Sequence, residues 1–533
     1  MKDIKQKTSL IIQGSILASA GLISKIIGFF YRLQVTNILG EQGNGIYSVA
    51  FGIYSIALTL SSYSLPAALS KIFSQYISKD EHQNHMRAFK VALVYAFVSG
   101  VISCLFLFFG ASYLEHLYSR SGLSYCLRTL APATFIVAIL GVLRGYFQGY
   151  GSMLPTALSQ ILEQIINAIV SIIAASQFML FFSTSQNKFA YGAAGSCLGT
   201  LMGAACALLL LTILYAKRER KQHLIRDFSV QSYWQISQIM IITVVPIVFS
   251  QTVFQLGGTI DDYLLGNILK ANNLGDAYIS SLQGVYNSQF NLLINLPVSV
   301  AVAMGTAMIP SITLLKGANI SKKLQFIMKI NMVVAVPSAV GLAVFAKPIN
   351  LLLFSRLIGM QNLSVQLFHV GSLIIIPLSL ATLSNSIMYS YNYMKVSFIH
   401  CLLSLIMHTI LTYCILSKTN LEIFAVLLSN FISPCIIVIL NLIYLKKKIG
   451  YKIDFYSAIL LPFISACIMA AFSYPLYKGL MHLGNSNTLS ILLAINLAIF
   501  IYFISIIGTK CLTINDLCRL PLVNKFIHAD KKY

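Results

Sequence analysis

Apolar runs near or above twenty residues alternate with short polar intervals along the whole of this 533-residue chain. Each run is long enough to cross a ~30 Å hydrocarbon layer as a helix. Fourteen can be drawn, starting near residues 10, 46, 88, 129, 155, 191, 238, 283, 330, 368, 396, 421, 455 and 488. The intervals between them are too short for a separate catalytic domain. The pattern therefore predicts an all-α integral membrane protein of about fourteen transmembrane helices, and no enzyme. The first stretch, from Leu10 to Leu39, is too long for a cleaved signal and is read as a retained first helix. Proline lies in or beside nearly every span from the fourth onward, Pro132, Pro337 and Pro434 among them. Membrane helices that bend tolerate it.

A weak internal repeat divides this array. Gly45-Ile46-Tyr47-Ser48 resembles Gly284-Val285-Tyr286-Asn287, and Tyr150-Gly151-Ser152-Met153 resembles Tyr391-Asn392-Tyr393-Met394. The offsets are 239 and 241 residues, each equal to six spans, so the two halves have the same orientation in the membrane. The expected organisation is two pseudo-symmetric six-helix lobes, residues 1–226 and 227–450, followed by a helix pair and tail over 451–533.

Composition agrees, since 57% of residues are hydrophobic, 10% are charged and the mean hydropathy is +0.79. A soluble chain carries roughly a quarter charged residues. The net charge of +22 suggests nucleic acid until the positions are read. With the N-terminus in the cytoplasm, 27 of the 37 lysines and arginines fall inside, eight outside and two in the first helix. That is the positive-inside bias, not a basic groove, and it places both termini in the cytoplasm. Most of the ten cysteines lie in apolar spans without a CxxC pair, and the nine histidines lack ligand spacing, so neither a disulfide set, a metal site nor a cofactor is expected.

Polar residues inside the spans are the candidate chemistry, because ionised groups at membrane depth are costly. Lys25 and Arg32 are two turns apart on one face of the first helix, a spacing suited to a diphosphate. Arg32 has a second reading, as an anchor reaching the outer interface. The fifth span carries Gln160, Glu163, Gln164, Asn167 and Ser171 on one face. This stripe lines a substrate cavity, or Glu163 serves structure by neutralising Arg144; both readings are open. The seventh span carries Gln251, Gln255, Thr259 and Asp262, and the eighth Asn287, Asn291 and Asn295. These amides either line the cavity or bond helices together. Asp261 and Asp262 are candidates for a coupling cation, or end a helix at the outer surface.

Three motifs carry a family resemblance. They are Ser24-Lys25-Ile26-Ile27-Gly28-Phe29-Phe30-Tyr31-Arg32 with Leu39-Gly40-x-x-Gly43-x-Gly45-x-Tyr47; Leu65-Pro66-x-Ala68-Leu69-Ser70-Lys71; and Leu143-Arg144-Gly145-Tyr146-Phe147-Gln148-Gly149 with Pro155-Thr156-Ala157-x-Ser159-Gln160-x-x-Glu163-Gln164. Together they resemble the stage V sporulation protein B branch of polysaccharide exporters. That branch is related to the MurJ lipid II flippases in the multidrug/oligosaccharidyl-lipid/polysaccharide superfamily. The resemblance implies a MATE/MurJ-like fold and a monomer in the bacterial inner membrane. It also implies alternating access around a cavity for an undecaprenyl-diphosphate-linked sugar, lipid II or a related wall or spore precursor. Lys25 matches the first of two basic residues in the MurJ first helix, and Arg32 sits one position beyond the second. Coupling to a Na+ or H+ gradient or to membrane potential is implied as well. The alternatives are a multidrug cation antiporter of the same superfamily and a non-transporting protein of envelope or spore assembly. An antiporter calls for a buried carboxylate where this first helix offers cations.

Overall fold

The structure, a computed structural model, describes residues 2–63, 65–219, 230–313 and 319–512. Arg220, Lys221, Arg226, Lys316 and the tail from 513 lie outside the described residues, as does the side chain of Gln251. Among the described residues every regular element is helical. Twelve segments among the described residues are long and apolar enough to cross a membrane. One of them, Ser19–Ser62, covers the first two expected spans.

Packing divides the chain into two compact units, Met1–Ser288 with Leu416–Glu422, and Gln289–Ile415 with Ile423–Tyr533. The first unit holds α1 (Lys2–Leu58), α2 (Leu65–Ser78), α3 (His82–Leu117) and α4 (Leu123–Gly149). It continues with α5 (Leu154–Phe181), α6 (Lys188–Glu219), α7 (Tyr233–Ala271) and α8 (Asp276–Gly284). The helix α7 stands at the seventh expected span, and a capping box of Ser232 and Gln235 starts it. The repeat groups α7 with the later helices, whereas by packing it sides with the first unit, against α1, α2 and α3.

Within this unit α1 turns at Gly40, whose φ of 69° a residue with a Cβ rarely adopts. The two halves of α1 thereby serve as separate spans. Just beyond the turn, α1 and α8 cross on the repeat's own glycines. A Cβ at Gly45 would overlap the Ser280 carbonyl, and one at Gly284 would overlap the Glu41 carbonyl. One turn on, the repeat mates Asn287 and Ser48 are hydrogen-bonded, Nδ2 to Oγ at 3.4 Å. Small residues also let α6 lie close on α5. A Cβ at Gly195 would come 2.7 Å from the Ala174 carbonyl, and one at Gly203 would come 2.6 Å from that of Glu163. Without a hydrophobic drive between helices in lipid, such close backbone packing is a main source of association.

The second unit holds α9 (Asn291–Thr313), α10 (Asn319–Val344), α11 (Ala346–Leu353), α12 (Gln361–Gly371) and α13 (Ile375–Ser390). It ends with α14 (Met394–Lys418), α15 (Ile423–Ile449), α16 (Leu461–His482) and α17 (Asn487–Gly508), the last two packed as a pair. The helix α13 is its centre, touching α9, α10 and α15.

Candidate functional site

The short turn between α4 and α5 decides the geometry of the candidate site. Pro155 opens α5, where its missing N–H costs nothing. The polar stripe of α5 then faces the last turns of α4 and the first half of α1. Arg144 of α4 donates from Nη2 to Glu163 Oε2 at 2.7 Å and from Nε to Ser159 Oγ at 3.0 Å. The two charged side chains are 13% and 20% exposed, so this is a largely desolvated, charge-assisted pair.

The pair also borders open space. A recess of about 210 Å³ is lined by Gly21 and Ser24 of α1, Arg144 of α4, and Gln160, Glu163 and Gln164 of α5. Glu163 thus pairs with Arg144 and lines the recess at once. The Ser24 Oγ and Gln160 Oε1 atoms are buried without a protein partner. A Cβ at Gly21 would meet nothing within 4 Å, and one at Gly28 would lie 3.7 Å from Gln164 Oε1. This face of α1 therefore leaves room in front of α5.

Other candidates lie away from the recess. Asn167, one turn on from Gln164, is buried and hydrogen-bonded at both ends of its amide. Its Nδ2 donates to the Tyr31 hydroxyl at 3.1 Å, and its Oδ1 accepts from Ser171 Oγ at 2.9 Å. It joins α5 to α1. Lys25 follows Ser24 in α1 and is exposed, and it is not among the residues lining the recess. Arg32 lies over the Phe51 ring at 4.9 Å from its centroid. Gln255 is exposed, and Asn291 is half-buried in the second unit.

A second polar cluster of the first unit gathers around Asp262 of α7. Asp262 is buried, accepts from Asn287 Nδ2 at 3.0 Å through Oδ1, and offers its backbone carbonyl to Gln283 Nε2 at 3.0 Å. Its Oδ2 faces α1 at Gly52, where a Cβ would sit 3.8 Å away. Asp261 is buried too, on another side of α7.

Sequence reasoning missed Arg120, which it counted among the eight outward charges. Only 1% exposed, Arg120 is the largest fully buried side chain among the described residues. Its Nη1 donates to the Asp276 carbonyl at 3.2 Å and to Ser280 Oγ at 3.1 Å, while Nε and Nη2 have no partner. Burial pulls this guanidinium down to about 10, against the opposing effect of Asp262 and Asp276. Nothing local in Tyr118-Ser119-Arg120-Ser121-Gly122 distinguishes it from a solvated loop charge.

The sequence profile of the polysaccharide biosynthesis protein family matches residues 12–316. The chain is 23% identical to "Stage V sporulation protein B" of Bacillus subtilis (strain 168) over 96% of its own length and 98% of the relative's. To "Lipid II flippase MurJ" of the same organism it is 23% identical, over 84% of each chain. Among solved structures, a lipid II flippase MurJ in the inward closed conformation superposes with a TM-score of 0.66 at 15% identity. That match covers 92% of this chain and 97% of the other. At such identity the likeness speaks for the fold.

Proposed function

From the chain's membership of the polysaccharide biosynthesis protein family, to which it belongs, we propose that it is a flippase. It carries an undecaprenyl-diphosphate-linked sugar, lipid II or a related wall precursor, across the bacterial inner membrane by alternating access. One observation supports this most. An ion pair and two unpartnered oxygens border a recess within membrane-length helices, where polar groups are otherwise expensive. In this reading the recess receives part of the head group. Outside the recess, Lys25, exposed on α1, and Arg32, two turns on, attract the phosphates. Asp262, buried beside Asn287, is where a Na+ or H+ gradient acts on the cycle. Both termini face the cytoplasm.

The test is reconstitution in proteoliposomes with a fluorescent undecaprenyl-diphosphate sugar, followed by quenching of the label on one leaflet. Protein-dependent exchange between leaflets, lost in Lys25→Ala, is the expected result. Exchange no faster than in empty vesicles, at several imposed gradients, overturns the flippase reading.

A further inference from the structure

The recess between α1, α4 and α5 has a charge balance and a set of free groups that discriminate between parts of a head group. We propose that it seats one uncharged, hydroxyl-bearing sugar ring and excludes the phosphates of the same molecule; this rests on the lipid-linked sugar reading above.

The argument begins with charge. Among the described residues the one cation lining the recess, Arg144, is already neutralised by Glu163 at 2.7 Å and further engaged by Ser159. The lining is therefore neutral. An incoming phosphate finds no free positive charge and stands beside the Glu163 carboxylate.

Hydrogen-bond polarity gives the same answer. Gln160 Oε1 accepts only and Ser24 Oγ both donates and accepts, and neither has a protein partner. Ionised phosphate oxygens accept only, so one opposite Gln160 Oε1 leaves both unsatisfied. A sugar hydroxyl donates to Gln160 and accepts from Ser24. The amide of Gln164, one turn on from Gln160 along α5, offers donors and an acceptor to further hydroxyls.

Size agrees as well. The volume of about 210 Å³ is far below that of a whole lipid-linked head group. It is about seven times the ~30 Å³ share of one water, room for a single pyranose ring. Gly21 keeps that room open, because no atom lies within 4 Å of the place where its Cβ would be.

The experiment uses the full-length protein purified in detergent, with N-acetylglucosamine and inorganic diphosphate as separate probes. Thermal unfolding is followed in wild type, in the Ser24→Ala/Gln160→Leu double variant and in Glu163→Gln. The sugar should raise the wild-type Tm, and the double variant should lose that rise. Any diphosphate effect should persist in the double variant. Glu163→Gln, which frees Arg144, should strengthen protection by diphosphate at least fivefold. A second readout does not depend on the double variant folding. A cysteine placed by Gly21→Cys enters open space, and its maleimide labelling above the wild-type background should be slowed by sugar but not by diphosphate. Diphosphate protection of that cysteine, or sugar protection indifferent to Ser24 and Gln160, overturns the assignment. Normal lipid exchange with no sugar protection sinks the recess and leaves the flippase standing. Sugar protection in a protein that exchanges no lipid supports the recess and removes the flippase.

Discussion

Two places related by the 241-residue offset use the same scaffold in opposite ways. The α4–α5 turn of the first unit corresponds to the α13–α14 turn of the second, where Tyr150 and Tyr391 cap the preceding helices. Counting along from there, Arg144 maps to Asn385, Thr156 to Ser397, Ser159 to His400, Gln160 to Cys401 and Glu163 to Ser404. In the second unit these residues close on one another. Asn385 Oδ1 accepts from Ser397 Oγ at 2.9 Å and from Asn441 Nδ2 at 2.8 Å, and His400 Nδ1 meets Asn441 Oδ1 at 2.8 Å. Ser404 Oγ donates to the Ser433 carbonyl at 2.8 Å. The network holds no carboxylate, lysine or arginine and joins α13, α14 and α15. In the first unit the same positions hold an ion pair, an unpartnered amide oxygen and a recess. A desolvated ion pair adds little to stability compared with a well-packed neutral substitute. Its presence in one copy, where the other does without, points to a task beyond folding.

Breaking the charged copy should have the largest effect. Arg144→Ala or Glu163→Ala leaves an uncompensated charge near the recess, costing about 2–3 kcal/mol and most of the folded protein. The reciprocal exchange, Arg144→Glu with Glu163→Arg, should restore abundance measured by size-exclusion chromatography. If each single variant accumulates normally, the pair is no structural element and the comparison loses one side.

Next comes the neutral copy. Asn441→Leu removes the amide that bonds Ser384 and Asn385 and leaves buried oxygens unpaired, a loss of about 1–3 kcal/mol. The Tm should fall while lipid exchange per folded molecule stays within twofold of wild type. A selective loss of exchange would place a second working site in the second unit.

The smallest stability change is expected from making the first copy resemble the second. Arg144→Asn with Glu163→Ser removes both charges together, so stability should stay within about 1 kcal/mol. Exchange should nevertheless fall at least tenfold, because the recess loses its polar wall. Retained exchange would show that the ion pair is dispensable to transport and that the two copies differ only in sequence.

The glycines of the repeat show how far pattern reading reaches. Gly45 and Gly284 stand out by their offset, and the structure brings both into one helix crossing, together with Ser48 and Asn287. The stripe of α5 is equally legible, as helical spacing alone puts Gln160, Glu163 and Gln164 on a common face. The same spacing includes Asn167, yet that residue bonds to Tyr31 instead of lining the recess. Periodicity fixes the direction of a side chain around its own helix and says nothing of what lies opposite.

The sequence by itself determined that this is an all-helical, multi-span membrane protein, where a duplicated pattern recurs, and which residues are too polar for their surroundings. Those properties follow from the length, period and solvation cost of local segments, which are written in order along the chain. Only the tertiary structure decided that α7 packs with the first unit, that Ser24 joins Gln160 at one recess, and that Arg120 is buried with two nitrogens unpartnered. Each of these depends on contacts between residues from about twenty to well over a hundred positions apart. A loop arginine becomes a buried charge only when a helix some 156 residues later supplies the carbonyl that holds it.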